Sequence, residues 1–126
     1  MNIGIDLDGT IYRSNTLIPG SKYAINKLIV NNDIFFLTNN GSTPPKNILK
    51  KLNSMLDLKF EDKQIVTPLL VAIDYLNKLN KLIYIHSDSN VKSYLKSFNI
   101  NITDNLKNSQ IALIGRVSPI NEKLIK

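Results

Sequence analysis

Two aspartates set two positions apart, Asp6 and Asp8, close an apolar run and are succeeded at once by Gly9, Thr10 and Ile11. In an extended segment residues i and i+2 point to one side, so both carboxylates can share a site while Leu7 faces the interior. Carboxylates that close repel, and one is protonated unless a cation neutralises the pair. Mg²⁺ suits such a pair, because it takes hard oxygen ligands and is commonly held by one or two carboxylates together with the phosphate oxygens of a substrate. An ionised Asp6 could then attack phosphorus and form an aspartyl-phosphate. A protonated Asp8 would give its proton to the leaving oxygen and later take one from water. Gly9, lacking a Cβ, lets the chain turn away and brings backbone N–H groups toward a phosphate. Thr10 can tie that turn through its hydroxyl. An Asp-Gly turn alone ends strands in many folds; the apolar residues on both sides make this one more specific.

A second polar loop must reach the first if these residues are to work together. Ile34-Phe35-Phe36-Leu37 is a continuous apolar run, the pattern of a strand buried on both faces, and it ends in Thr38-Asn39-Asn40-Gly41-Ser42. Between the two runs lies an amphipathic stretch that starts after Pro19-Gly20, with Ser21 as its expected cap and Ala24, Ile25, Leu28 and Ile29 on one face. Strand, helix, strand implies parallel strands joined by a right-handed crossover. Both polar loops then lie at the carboxyl edge of the sheet, where open α/β folds bind ligands. Thr38 and its neighbours Asn39 and Asn40 would hold phosphoryl oxygens there through hydroxyl and N–H groups, with Gly9 on the opposite loop. Asn-Gly in a hairpin would need a strand after it. The next segment is helical instead, with Thr43 as expected cap, Pro44 in the first turn, and Ile48, Leu49, Leu52, Met55 and Leu56 on one side.

Further along, Thr67-Pro68 reads as a cap and first helical position for Leu69, Leu70, Ile73, Leu76 and Leu79. Leu82 to Ile85 is a third predicted strand, Ser87 to Asn90 a polar turn, and Val91, Tyr94, Leu95 and Phe98 another helical face. Ile111 to Ile114 makes a fourth strand, and Ser118-Pro119 opens one more helix. Strands alternating with helices throughout predict an α/β fold with a mainly parallel sheet and flanking helices.

Ile3-Gly4-Ile5-Asp6-Leu7-Asp8-Gly9-Thr10-Ile11-Tyr12, Ile18-Pro19-Gly20 and Phe36-Leu37-Thr38-Asn39-Asn40 together resemble the haloacid dehalogenase superfamily, in particular its NagD-like phosphatases with a large α/β cap. The likeness continues through Ile65-Val66-Thr67-Pro68 and the two later strands. It implies a HAD-like Rossmannoid fold and Mg²⁺-dependent hydrolysis of small phosphate esters. Asp6 resembles the nucleophile of that family, Asp8 its acid/base, and Thr38 its second-motif phosphate-binding hydroxyl. Asp6 and the backbone carbonyl of Asp8 would be the metal ligands. The resemblance also places a third-motif lysine and a fourth-motif acidic pair after the cap, and this sequence carries neither in a matching context. Residues 1–80 are thus expected to be the amino-terminal half of the catalytic core and 81–126 the beginning of the cap. Turnover is expected to be partial or weak, and the alternative is an inactive shortened relative that keeps a phosphate-binding or interaction surface. The first strand is expected at an open sheet edge, which leaves room for a homo-oligomer.

Composition narrows the remaining classes. The chain has 126 residues, 43% of them hydrophobic, enough for one domain of ordinary size but short for core and cap together. Sixteen basic residues against 10 acidic ones leave a net charge of +6, yet the basic residues are scattered and nearly all lysine, with only Arg13 and Arg116 as arginines. Nucleic-acid recognition favours clustered basic residues with arginine forks and stacking aromatics, so no nucleic-acid partner is expected. Lys46, Lys50 and Lys51 fall on the polar side of one helix and read as a solvated face. With no cysteine, disulfides, thiol catalysis and thiolate metal sites are excluded. No apolar run approaches membrane-spanning length and the first strand begins at once, so a cytoplasmic location without membrane association is expected. The only histidine, His86, has no nucleophile motif beside it.

Overall fold

The structure is a computed structural model and describes residues 1–116; the helix expected from Ser118 lies outside the described residues. Two compact units divide the chain, the first formed by Met1–Asn40 and Pro45–Val71, the second by Gly41–Pro44 and the described residues from Ala72 onward.

In the first unit β1 (Asn2–Asp6), β4 (Asp33–Leu37) and β5 (Ile65–Val66) form a parallel sheet in the order β1-β4-β5. Its register pairs Ile3 with Ile34, Ile5 with Phe36, and Phe36 with Ile65. A two-stranded antiparallel hairpin, β2 (Tyr12–Arg13) and β3 (Thr16–Leu17), comes after β1. Helix α1 (Ser21–Leu28) joins the hairpin to β4, and α2 (Pro45–Leu56) comes after β4. One face of the sheet is dry: Ile34 and Phe36 are buried with Leu7, Ile25, Ile48, Leu52, Leu56 and Ile65 in a single cluster, against which Ile3 and Ile5 pack. Phe36 meets Phe60 edge to face, with ring centroids 4.7 Å apart, the geometry favoured by aromatic quadrupoles.

Local details depart from the sequence expectation in four places. β4 is buried on one face rather than two, since Phe35 is half-buried and Leu37 is 43% exposed. Gly20, not Ser21, caps α1: it takes the left-handed conformation (φ 86°), and Ser21 enters the first turn with its hydroxyl buried and without a hydrogen-bond partner. Ala24 is exposed, so the buried stripe of α1 narrows to Ile25, with Leu28 and Ile29 half-buried. Helix α2 starts at Pro45 rather than Pro44, because two successive prolines compete for the first position and the residue before a proline is pushed out of the helical region.

The second unit contains another parallel sheet, β7-β6-β8, with β6 (Ile83–His86) between β7 (Ile102–Thr103) and β8 (Ile111–Ile114). Ile83 and Ile85 of β6 are buried, as are Val91 and Leu95 of α4 (Ser89–Lys96). Helix α3 (Pro68–Leu79) opens as expected: Thr67 is buried and its hydroxyl accepts the Leu70 N–H at 3.3 Å, a helix cap with proline behind it. The chain is therefore α/β with parallel sheets and flanking helices.

Candidate active site

β1 ends at Asp6, and the chain turns sharply over the next six residues. The turn is organised by one carbonyl: Leu7 O accepts the N–H groups of Thr10, Ile11 and Tyr12 at 2.9–3.3 Å. Leu7 itself is fully buried, so the residue between the two aspartates anchors the loop in the core. Gly9 has φ 89°, a conformation that a Cβ would strain, and its N–H donates to Tyr12 O at 2.8 Å. Leu7 N–H donates to Leu37 O, which ties the loop to the end of β4.

Two hydroxyls reach the two carboxylates. Thr10 Oγ1 donates to Asp6 Oδ2 at 3.0 Å, and Thr38 Oγ1 donates to Asp8 Oδ2 at 3.2 Å across thirty residues of sequence. Thr38 is buried, while both aspartates are exposed, so the pair opens outward from a fixed floor. Its hydroxyl also accepts the Asn40 N–H at 3.0 Å, and its own N–H donates to Val66 O at 3.2 Å. Thr38 thus sits where three parallel strands end. Of the residues expected here, the structure brings Asp8, Thr38 and Asn40 into one hydrogen-bonded chain and holds Asp6 through Thr10. Asn39 is an exposed neighbour in the same loop, and Gly9 shapes the opposite one.

Tyr12 joins this group without having been singled out in the sequence. It is 3% exposed, and burial above all, reinforced by the carboxylates of Asp8 and then Asp6, pushes its phenol up to about 12. Asp8 and Tyr12 also form an isolated backbone bridge. The ring's apolar burial makes Tyr12 read as a core residue; only the turn at Gly9 reveals that its hydroxyl end lies in the field of both acids.

The donor set suits a hard cation. All available groups are oxygens, two of them exposed carboxylates, while no cluster of three or more His, Cys, Asp or Glu occurs among the described residues. Mg²⁺ tolerates this, since it retains several waters and needs only one or two carboxylates beside a substrate phosphate.

A parallel sheet with an aspartate loop and a threonine loop at its carboxyl edge places both loops where open α/β folds bind ligands. Residues 3–101 match the haloacid dehalogenase-like hydrolase family, and the chain belongs to that family. Among curated proteins it is similar to the acid sugar phosphatase of Staphylococcus aureus, 37% identical over 76 residues that make up 59% of this chain and 29% of that one. Its fold is similar to part of the p-nitrophenyl phosphatase from Archaeoglobus fulgidus, with a TM-score of 0.85 and 21% identity over 98% of this chain and 48% of the other. NagD from Escherichia coli K-12 gives a TM-score of 0.80 with 19% identity, over 98% of this chain and 49% of NagD. The chain thus spans about half the length of these solved relatives, and its match covers less than a third of the curated one.

Proposed function

We propose that the chain carries the amino-terminal half of the catalytic machinery of a Mg²⁺-dependent phosphatase, a phosphoric monoester hydrolase acting on a small phosphorylated metabolite. The observation that carries this reading is the hydrogen bond from Thr38 to Asp8, which brings the second loop onto the aspartate loop at the carboxyl edge of the sheet. Residues 1–80 are read as core and those from 81 onward as the start of the cap. Family membership supports the reaction class, and the names of the similar proteins support a phosphate monoester as substrate.

In this reading Asp6 is the nucleophile. Thr10 occupies its Oδ2, so Oδ1 is assigned to attack phosphorus; the P–O bond of the ester breaks as the aspartyl-phosphate forms. Thr38 likewise occupies Oδ2 of Asp8, and Oδ1 is assigned to carry the proton that passes to the leaving oxygen. Asp8 then takes a proton from water as that water attacks phosphorus, releasing phosphate and restoring Asp6. Mg²⁺, held by the Asp6 carboxylate and the backbone carbonyl of Asp8, would offset the charge of Asp6 and the charge gathering on the phosphoryl group. The Thr38 hydroxyl and the N–H groups of Asn39 and Asn40 would orient the phosphoryl oxygens, with Gly9 keeping the opposite loop close.

The test compares the purified chain with Asp6→Asn for Mg²⁺-dependent release of phosphate from an aryl phosphate. Turnover in the wild type that vanishes in Asp6→Asn is the expected result. Equal turnover in both would reject Asp6 as nucleophile, and none in either would favour a non-catalytic phosphate-binding protein.

A further inference from the structure

Lys51 does not behave like the other lysines on α2. Lys46 and Lys50 are exposed, whereas Lys51 is half-buried, and its ammonium rests 4.2 Å from the centroid of the Tyr12 ring. The same nitrogen donates to the carbonyl of Ser14 at the tip of the β2–β3 hairpin. Ser14 itself has φ 50°, a left-handed conformation that a non-glycine residue adopts at a cost and holds only when its surroundings enforce it. One ammonium thus grips the hairpin twice, at the ring that begins it and at the strained residue that reverses it. A cation over an aromatic face adds to a charge-assisted hydrogen bond, so the two contacts of this half-buried lysine act on the hairpin together.

The hairpin controls the aspartate loop. Tyr12 N–H donates to Leu7 O, Tyr12 O accepts the N–H of Gly9, and Ile18 N–H donates to Ile11 O to close the base of the hairpin. If Tyr12 shifts, the bonds that shape residues 7–12 shift with it. We propose that Lys51 is a positioning residue, an ammonium latch from α2 that holds the hairpin and through Tyr12 fixes the loop carrying Asp6 and Asp8. The proposal rests on the reading of those aspartates as the site, but the latch is testable without turnover.

Amide hydrogen exchange at neutral pH supplies the test. Lys51→Met keeps the aliphatic stem and removes the charge, while Lys51→Arg can stack on Tyr12 and donate to Ser14. In Lys51→Met, protection at the Gly9 and Ile18 amides is expected to fall about tenfold, equivalent to about 1.4 kcal/mol. The Leu7 and Thr38 amides, which bond across the sheet, should stay as in wild type, and Lys51→Arg should restore protection. Unchanged Gly9 and Ile18 amides, an equal fall at all four, or failure of arginine to rescue would each overturn the proposal. A second measurement needs no folded Lys51 variant: the Lys51 ε-methylene protons should be shifted upfield by the Tyr12 ring and return to ordinary values in Tyr12→Leu. Ordinary values in the wild type would overturn it as well.

Discussion

Replacing Thr38 with valine tests the junction between the two loops directly. The substitution preserves shape and removes a hydroxyl that donates to Asp8 at 3.2 Å and accepts from the Asn40 N–H at 3.0 Å. A hydrogen bond to a charged group contributes about 1.5–3 kcal/mol. The bond to Asp8 is at the long end of normal, which argues for the lower half of that range, about 1.5–2 kcal/mol. Thr38 is only 7% exposed, whereas the Asp8 carboxylate is exposed and can turn to water, which also holds the loss to the lower end. With a urea dependence of about 1–3 kcal/mol per molar for a small domain, the unfolding midpoint should fall by about 1 M. Thr38→Ser keeps the hydroxyl and gives up one methyl, for a loss of about 0.8 kcal/mol or less. Urea denaturation monitored by circular dichroism distinguishes the two, since the pair of variants removes the hydroxyl and the methyl separately. A Thr38→Val protein within about 0.5 kcal/mol of wild type, or a serine variant as damaged as valine, would refute the idea that this hydroxyl joins the loops.

Tyr12 predicts an alkaline limb in stability. Its folded pKa of about 12 lies above the ordinary value of 10.0, so the folded state holds the phenol proton more tightly. That contribution is whole below about pH 10 and is lost as pH climbs through 12, with about 1.4 kcal/mol gone at about pH 11. Tyr12→Phe should lose less stability than wild type between about pH 8 and about pH 11 in urea titrations, and equal losses would contradict the assignment. Gly9→Ala meets no atom within 4 Å of the new Cβ, so its cost is that of backbone conformation alone, about 1–2 kcal/mol. Thermal unfolding should show that decrease, and a neutral substitution would mean that the loop does not need its positive φ.

Much of the candidate site's geometry was legible because its residues are close in sequence. Asp6, Asp8 and Gly9 lie within one turn, and the apolar run of β4 ends at Thr38, so parallel pairing alone carries the second loop to the first. The short hairpin was not legible: strands of two residues offer no alternation to detect, and Ser14-Asn15 between Tyr12 and Thr16 was its sole signal. Lys51 shows the same limit from the other side. On a helical projection it joins Lys46 and Lys50 on a polar face, and only the hairpin folding back over α2 gives it a ring and a carbonyl to hold. The start of α1 moved for a different reason, since Gly20 reaches the left-handed region at little cost and so takes the capping position from Ser21.

Among the described residues β1 is the outermost strand of its sheet, and its hydrogen-bonding parity can be worked out. Met1 O and Leu7 N both bond to β4, so the odd-numbered residues face inward and the peptide groups of Asn2, Gly4 and Asp6 point away from the sheet. Nothing in that stretch guards it: there is no proline, no lysine and no bulge, and the centre is a glycine. An incoming extended segment would find donors and acceptors already spaced for it, and would bring its own backbone within reach of Asp6. Whatever polypeptide lies along this border therefore gains a voice in how the first acid of the loop is solvated.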